Sequence, residues 1–501
     1  MLPWILACAA DPSRVSPFEP PEAIAARLPA RPMVLSVEAN PNPNLPHEQI
    51  IDVTLSAGAD IAVECTLDSD TSEVHLVESR MSDSHQVRIN GLLAGESYSC
   101  AVAITRPPAP EATTSFTLTT PRARYEIPPM EVERDESLPM TGGAYTIFNQ
   151  QRYCGGEYTQ RLLIVDPEAR VRWHYELPEN MDMGIEARPN ADGNIVWGGG
   201  NTPQSAAEIV SLSGDVLYKV DFTGADRINF HHDGKQISTG EILTLEYQWN
   251  HSDTATWRGF GLRTFDPASG DETWEWQSQY GYDQGVLPSG RGDVYHANWV
   301  DILDGDDGPT AYVSMCARYQ VMAVDVATKD VKWLFGPGGD FALYDTDGTA
   351  LSDSYFTSCQ HGLEFDPDAN RLLVYDNGWA TGQSRTAEFE LDLAAMTATL
   401  VWSWTETGWY ESVLGDADWL PDGHVLLDQA HMECASGSGR PTQIVEVDKA
   451  TGDVPWRLTL PRVNDSSYRA ERIPSCTLFR NSKYCAATAG RLGELASFFD
   501  E

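Results

Sequence analysis

Apolar and polar residues alternate in short runs along most of the chain. Between Met33 and Thr120 the runs are Val34–Val37, Ile51–Leu55, Ile61–Cys65, His85–Ile89, Tyr98–Ile104 and Thr114–Leu118. Period-2 alternation broken by Gly, Pro, Asp and Ser predicts strands with one buried face, and strands at such intervals predict a small β-sandwich over residues 32–121. Beyond it the alternation gains a longer period. Six segments share an apolar strand ending at Asp or Ser, a turn, and a strand that usually carries Trp: Leu162–Trp173, Glu208–Tyr218, Leu262–Trp274, Val321–Trp333, Glu388–Trp402 and Gln443–Trp456. Their spacing of 45 to 67 residues fits one four-stranded blade per repeat. The fold is expected to be all-β, a six-bladed β-propeller over residues 122–495 preceded by the sandwich.

Between these hairpins lies a second repeated piece, a short segment opening on a polar residue. Aligned, these segments put Glu186, His231, His296, His361, Asp416 and Arg472 at one level of the central channel. That is unusual chemistry for a structural axis. Ring closure stays open, because both Ala144–Phe148 and Tyr484–Ala489 could supply the last strand.

Composition narrows the function. Asp and Glu number 74 against 34 Lys and Arg, a net charge of −40, which argues against a nucleic-acid groove or an anionic lipid surface. An anionic ligand would have to be held by a few aimed Arg and His. With 42% hydrophobic residues the chain can bury a large core.

The 9 cysteines form no CxxC pair, so no metal centre through cysteine is expected. Residues 1–31 read as a signal remnant and Pro-rich tether. Ile5–Ala9 resembles the lipobox of bacterial lipoproteins, which would make Cys8 a lipid anchor and the only membrane attachment. The eight other cysteines suit disulfides in a cell-envelope compartment, periplasmic or outer-membrane/surface. Cys476 with Cys485 could close a hairpin, and Cys359 with Cys434 could form a bridge near the channel. Leu92–Tyr98 resembles the turn and tyrosine corner of a fibronectin type III domain, within which Cys65 and Cys100 could pair.

Tyr295–Asn298, Cys359–Gly362, Asp376–Gly378 followed by Ser384–Leu391, and Leu427–His431 resemble, in this order, the signatures of bacterial arylsulfate sulfotransferases, six-bladed propellers that use no nucleotide sulfate donor. The resemblance spans about residues 140–490. It implies transfer of a sulfuryl group from a phenolic sulfate ester to a phenol, with no cofactor. It implies His431 as the nucleophile that becomes sulfated, His361 as the second histidine, Arg385 as the arginine on the sulfuryl oxygens and His296 as the remaining histidine. Asn298 and Arg318 are candidate substrate-binding residues, and Trp379 and Trp409-Tyr410 could stack on an aryl group.

Chemistry supports those residue types. Neutral imidazole is a competent nucleophile near pH 7, a second histidine suits proton transfer to and from a phenol, and guanidinium matches sulfuryl oxygens. His231 and His232 precede Asp233-Gly234, where turn capping competes with a channel role. The acidic loops Asp301–Asp307 and Asp345–Gly348 read as surface turns, and no metal site is expected. A non-catalytic surface propeller that binds a ligand or protein partner is the alternative from another class.

Overall fold

A computed structural model describes residues 32–106, 113–124, 126–152, 159–178, 185–200, 205–221, 230–432 and 439–499. The lipobox, the tether, Cys154 and Cys434 lie outside the described residues.

The N-terminal unit is built on two long strands, Glu48–Leu67 and Asp70–Asn90, paired antiparallel. The first half of Glu48–Leu67 pairs with Val34–Pro41 and its second half with Ser97–Arg106, which in turn pairs with Thr113–Thr119. One hairpin therefore serves both faces of the unit, and Ile51, Val53, Ile61, Val63, Tyr98 and Val102 fill its core. The buried Tyr98 hydroxyl accepts the Leu93 N–H at 2.7 Å, and Cys65 is bonded to Cys100.

The rest forms a six-bladed β-propeller. From the inside out, blade two is Ile185–Pro189, Ile195–Gly199, Ala206–Val210 and Val216–Asp221, and blade three is Phe230–Gln236, Ile242–His251, Thr256–Phe265 and Glu272–Gln277. Blade four is Ala297–Leu303, Thr310–Met315, Gln320–Asp325 and Val331–Phe335. Blade five is Gln360–Asp366, Arg371–Asp376, Arg385–Asp392 and Thr397–Trp404, and blade six Asp416–Trp419, His424–Gln429, Thr442–Asp448 and Trp456–Leu460. Blade one takes Tyr145–Arg152, Thr159–Val165 and Val171–Glu176 from the start of the domain and its innermost strand, Ala470–Ile473, from the end.

This last pairing closes the ring. Tyr145–Arg152 is the second strand of blade one, and Tyr484–Ala489, the other closing candidate, is no strand but leads into the helix Ala486–Phe499. Disulfide Cys476–Cys485 ties that stretch. Glu131–Arg134 adds a fifth, outermost strand to blade six, so the seam between first and last blades is crossed twice.

The repeated Asp and Trp have clear tasks. Asp166, Asp266, Asp325, Asp392 and Asp448 each accept a backbone N–H two or three residues on, closing the outer hairpin as an Asx turn. The indoles of Trp173, Trp274, Trp402 and Trp456 donate to carbonyls of the corresponding turns in the next blade, those of Leu212, Val326, Lys449 and Pro167. The Trp repeat is thus the glue between blades, each ring burying apolar area while its N–H finds a partner.

Candidate active site

The innermost strands surround a channel, and one end of it is crowded with histidine. His231 and His232 lie on the innermost strand of blade three, with their Nδ1 atoms 2.6 Å apart. The His232 ring is 4.9 Å from that of His296, just ahead of the innermost strand of blade four, and 6.2 Å from Tyr468. The Tyr468 ring also lies 6.3 Å from His361, at the start of blade five. Tyr468 packs against Ala430 and Met432, the neighbours of His431. The guanidinium of Arg469 sits 5.0 Å over Tyr468 and donates to the carbonyl of Asn298 at 2.7 Å.

Asn377 and Glu411, joined by a hydrogen bond to the Glu411 backbone, each fix one histidine ring, those of His361 and His431. Asn377 donates through Nδ2 to the carbonyls of Glu411 (3.0 Å) and Leu414 (2.9 Å), which fixes its amide with Oδ1 as the acceptor. Oδ1 lies 2.6 Å from His361 Nδ1, so that nitrogen carries the proton and Nε2 the lone pair. Glu411 in turn holds His431 Nδ1 at 2.6 Å through a carboxylate oxygen, which imposes the same tautomer.

Burial, with the charge of Arg469 and the neighbouring His296, outweighs the Asn377 hydrogen bond and brings the pKa of His361 down to about 3. Burial brings that of His231 to about 3 as well, and that of His232 well below the ordinary histidine value. These imidazoles rest neutral. His296 is more open, and its Nδ1 lies 3.0 Å from Asp293 Oδ2.

The backbone is strained at the same place. His232, His296, Cys359 and Leu414 have φ of 62°, 46°, 56° and 69°, in the left-handed region that residues with a Cβ seldom occupy. Disulfide Cys316–Cys359 pins two of the loops involved, so Cys359 pairs with Cys316 rather than with Cys434. The shift follows from the fold, which brings the end of the second strand of blade four beside the start of blade five.

The predicted residues thus fall into two groups. His296, Asn298 and His361 meet in the channel, and His431 joins them through Glu411 and Asn377. Arg318 occupies the turn Cys316–Arg318, whose backbone is bonded to the carbonyls of Tyr295 and His296, and its buried Nε has no hydrogen-bond partner among the described residues. Arg385 is engaged elsewhere: Nε bonds Asp376 at 3.0 Å, and Nη2 bonds the carbonyls of Tyr355 and Phe356 at 2.7 and 3.2 Å. Asp376 also accepts the N–H groups of Ser358 and Gly378, so Arg385 organises the loops on either side of Asn377.

Arg472 is not in the channel. It pairs with Glu446 at 2.7 Å, beside His424, because the side of Ala470–Ile473 that carries Ala470 and Arg472 packs on blade six, while Glu471 turns to Arg188 of blade two and Arg469, just before the strand, takes the expected place. Trp409 packs on Tyr375 inside the blade, whereas Trp379 is 45% exposed and its indole donates to the Ser412 carbonyl, next to Glu411.

Sequence reasoning passed over Arg469, Tyr468 and Glu411 and took Asn377 for a turn residue. Asn377 stands inside the signature segment Asp376–Gly378, which was its signal, whereas Glu411 and Arg469 had only position, Glu411 five residues before Asp416 and Arg469 two before Glu471.

A family model described as Arylsulfotransferase (ASST) matches residues 134–469. No curated protein matches the chain. Among solved structures, a functionally unknown protein from Desulfotomaculum acetoxidans is 11% identical, with 75% of this chain and 96% of that one covered and a TM-score of 0.36. A quinoprotein alcohol dehydrogenase-like protein from Bacteroides thetaiotaomicron is 9% identical, with 84% and 94% covered and a TM-score of 0.35.

Proposed function

The chain belongs to the arylsulfotransferase family, and on that premise we propose that it moves a sulfuryl group from a phenolic sulfate ester to a phenol through a sulfated His431, without a nucleotide sulfate donor. The observation that carries this reading is that Asn377 and Glu411, neighbours through the Asn377 bond to the Glu411 backbone, set His361 and His431 with Nδ1 protonated.

In this reading Nε2 of His431 attacks sulfur in line as the S–O bond to the phenolate breaks. The Glu411 carboxylate stabilises the positive charge that grows on the imidazole ring. His361 is neutral in the resting enzyme. An anionic ester buried beside it raises its proton affinity, so it enters the first transfer as imidazolium and hands its Nε2 proton to the leaving phenolate. It recovers a proton from the acceptor phenol as that oxygen attacks the sulfated histidine, and the cycle balances. Arg318 and His296 face the sulfuryl oxygens, while Arg385 acts by holding the loops.

The reading includes a cell-envelope setting, supported by disulfides Cys65–Cys100, Cys316–Cys359 and Cys476–Cys485, with lipidated Cys8 as the anchor. The test is cleavage of a chromogenic aryl sulfate with and without added phenol, together with His431→Ala. Phenol-dependent turnover that His431→Ala abolishes is the expected result. Absence of turnover, or turnover that survives the substitution, overturns the proposal.

A further inference from the structure

Beyond the histidines, the channel wall carries tiers of charge. Arg469 bonds Glu186 and lies 3.2 Å from Asp233, with Asp416 on the same level. Two residues further along the innermost strands come Arg188, Lys235, Asp418 and Glu471, joined by Asp301 and Glu364; Asp301 therefore lines the channel instead of a surface turn. In these tiers seven carboxylates, those of Glu186, Asp233, Asp301, Glu364, Asp416, Asp418 and Glu471, face the cations Arg188, Lys235 and Arg469.

The deficit concentrates at one point. Asp416, Asp418 and Glu471 each offer a carboxylate oxygen, all within 4.8 Å of one another. Asp418 is only 4% exposed, yet among the described residues neither of its oxygens has a hydrogen-bond donor, and Asp416 Oδ2 is equally without one. The nearest cation, Arg188, is 4.0 Å from Asp418, and it is shared with Glu471 at 2.6 Å and Glu186 at 2.5 Å. A buried carboxylate without a donor is costly unless a proton or a metal neutralises it.

We propose that Asp416, Asp418 and Glu471 bind a hard divalent cation, with Ca²⁺ the best chemical match. The donors are all oxygen, and ligand atoms this far apart suit Ca²⁺, which accepts bonds of about 2.3–2.6 Å and irregular shells completed by water, better than Mg²⁺ with its tight octahedron. Asp416 and Asp418 stand on the innermost strand of blade six and Glu471 on the strand that closes blade one. The ion would therefore clamp the ring at its seam. It would also set the Asp416 carboxylate, against which a side chain at Gly362 would collide, directly beside His361.

The test uses the full chain, stripped with chelator and desalted. Calcium titration with elemental analysis is expected to return about one ion per chain, and added Ca²⁺ to raise the thermal midpoint by several degrees, with Mg²⁺ at the same concentration giving much less. Asp418→Asn and Glu471→Gln are each expected to weaken Ca²⁺ binding about tenfold or more. The half-buried Glu471 supplies the informative variant should Asp418→Asn fail to fold. A stripped protein that neither takes up Ca²⁺ nor shifts its midpoint overturns the proposal, as do variants that bind Ca²⁺ as tightly as the parent, and the carboxylates are then neutralised by protons.

Discussion

Glu411 holds the Nδ1 proton of His431 at 2.6 Å, and both side chains are buried. The carboxylate also accepts the Met432 N–H at 3.4 Å, so it fixes the segment as well as the ring. In Glu411→Gln an amide replaces the charge. Turnover of an aryl sulfate is expected to fall about 10- to 100-fold, while the thermal midpoint moves little. Steady-state rates measured beside a melting curve check this, and an unchanged kcat would remove Glu411 from the reaction.

Asn377 controls His361 in the same way but without a charge, and this sets the expected pH dependence. With its pKa brought down to about 3 by burial, His361 stays neutral through the acid range and can accept a phenol proton there. Asn377→Asp puts a carboxylate against Nδ1, which favours the imidazolium and raises that pKa. A group with a raised pKa holds its proton to higher pH, so the acid limb of kcat/KM for the acceptor should move upward by about 1 unit or more. A profile that superimposes on the parent's would show that His361 does not handle the proton.

Blade count, the outer hairpins and the histidine-bearing strands were readable because each repeat satisfies the same local demands: an Asx turn at Asp266 or Asp448, an indole reaching the next blade from Trp274 or Trp402. Contacts between repeats were not readable. Glu411 belongs to the loop before blade six and Asn377 to the end of a blade-five strand, and only the closed ring brings them together. Arg472 was expected in the channel, and Arg469 passed over, because alignment of repeats does not determine which way the side chains of so short a strand turn. Of the acidic tiers only Glu186 and Asp416 were readable, because the members come from six different innermost strands.

Arg318 and Arg385 make opposite predictions. The Nε of Arg318 is buried beside the Tyr295–His296 loop and has no hydrogen-bond partner among the described residues, whereas Arg385 is bonded to Asp376 and two carbonyls. A charge-assisted hydrogen bond to an anion contributes about 1.5–3 kcal/mol, so Arg318→Ala should raise KM for the sulfate ester about tenfold or more with the midpoint preserved. Arg385→Ala should lower the midpoint and kcat together, because it releases the loops around Asn377. Full kinetics and melting curves on both variants separate the roles, and an intact KM in Arg318→Ala would exclude it as the anion partner.

The sandwich is expected to be a structural part of the enzyme, because its joint with the propeller is a buried fork. Arg172 of blade one donates to both oxygens of Glu73, at 2.5 and 2.9 Å, and through Nε to Asp166 at 2.8 Å, with Arg172 and Glu73 side chains fully buried. Removing one partner strands the other, so Glu73→Ala should cost about 3–5 kcal/mol. The double variant Glu73→Leu/Arg172→Met should recover much of that, since Arg170 still pairs with Asp166 at 2.8 Å. Burial alone would raise the Glu73 pKa from 4.5, but hydrogen bonds from His75 and Arg172 and the Arg172 charge outweigh it and hold the group well below that value. A depressed carboxyl pKa contributes stability that is present above the unfolded value and lost as pH falls beneath it. The gap in thermal midpoint between the parent and Glu73→Gln should therefore stay constant from neutral pH down to about 5 and shrink below about 4. A gap that persists unchanged at low pH would mean that the Glu73 charge does not hold this joint.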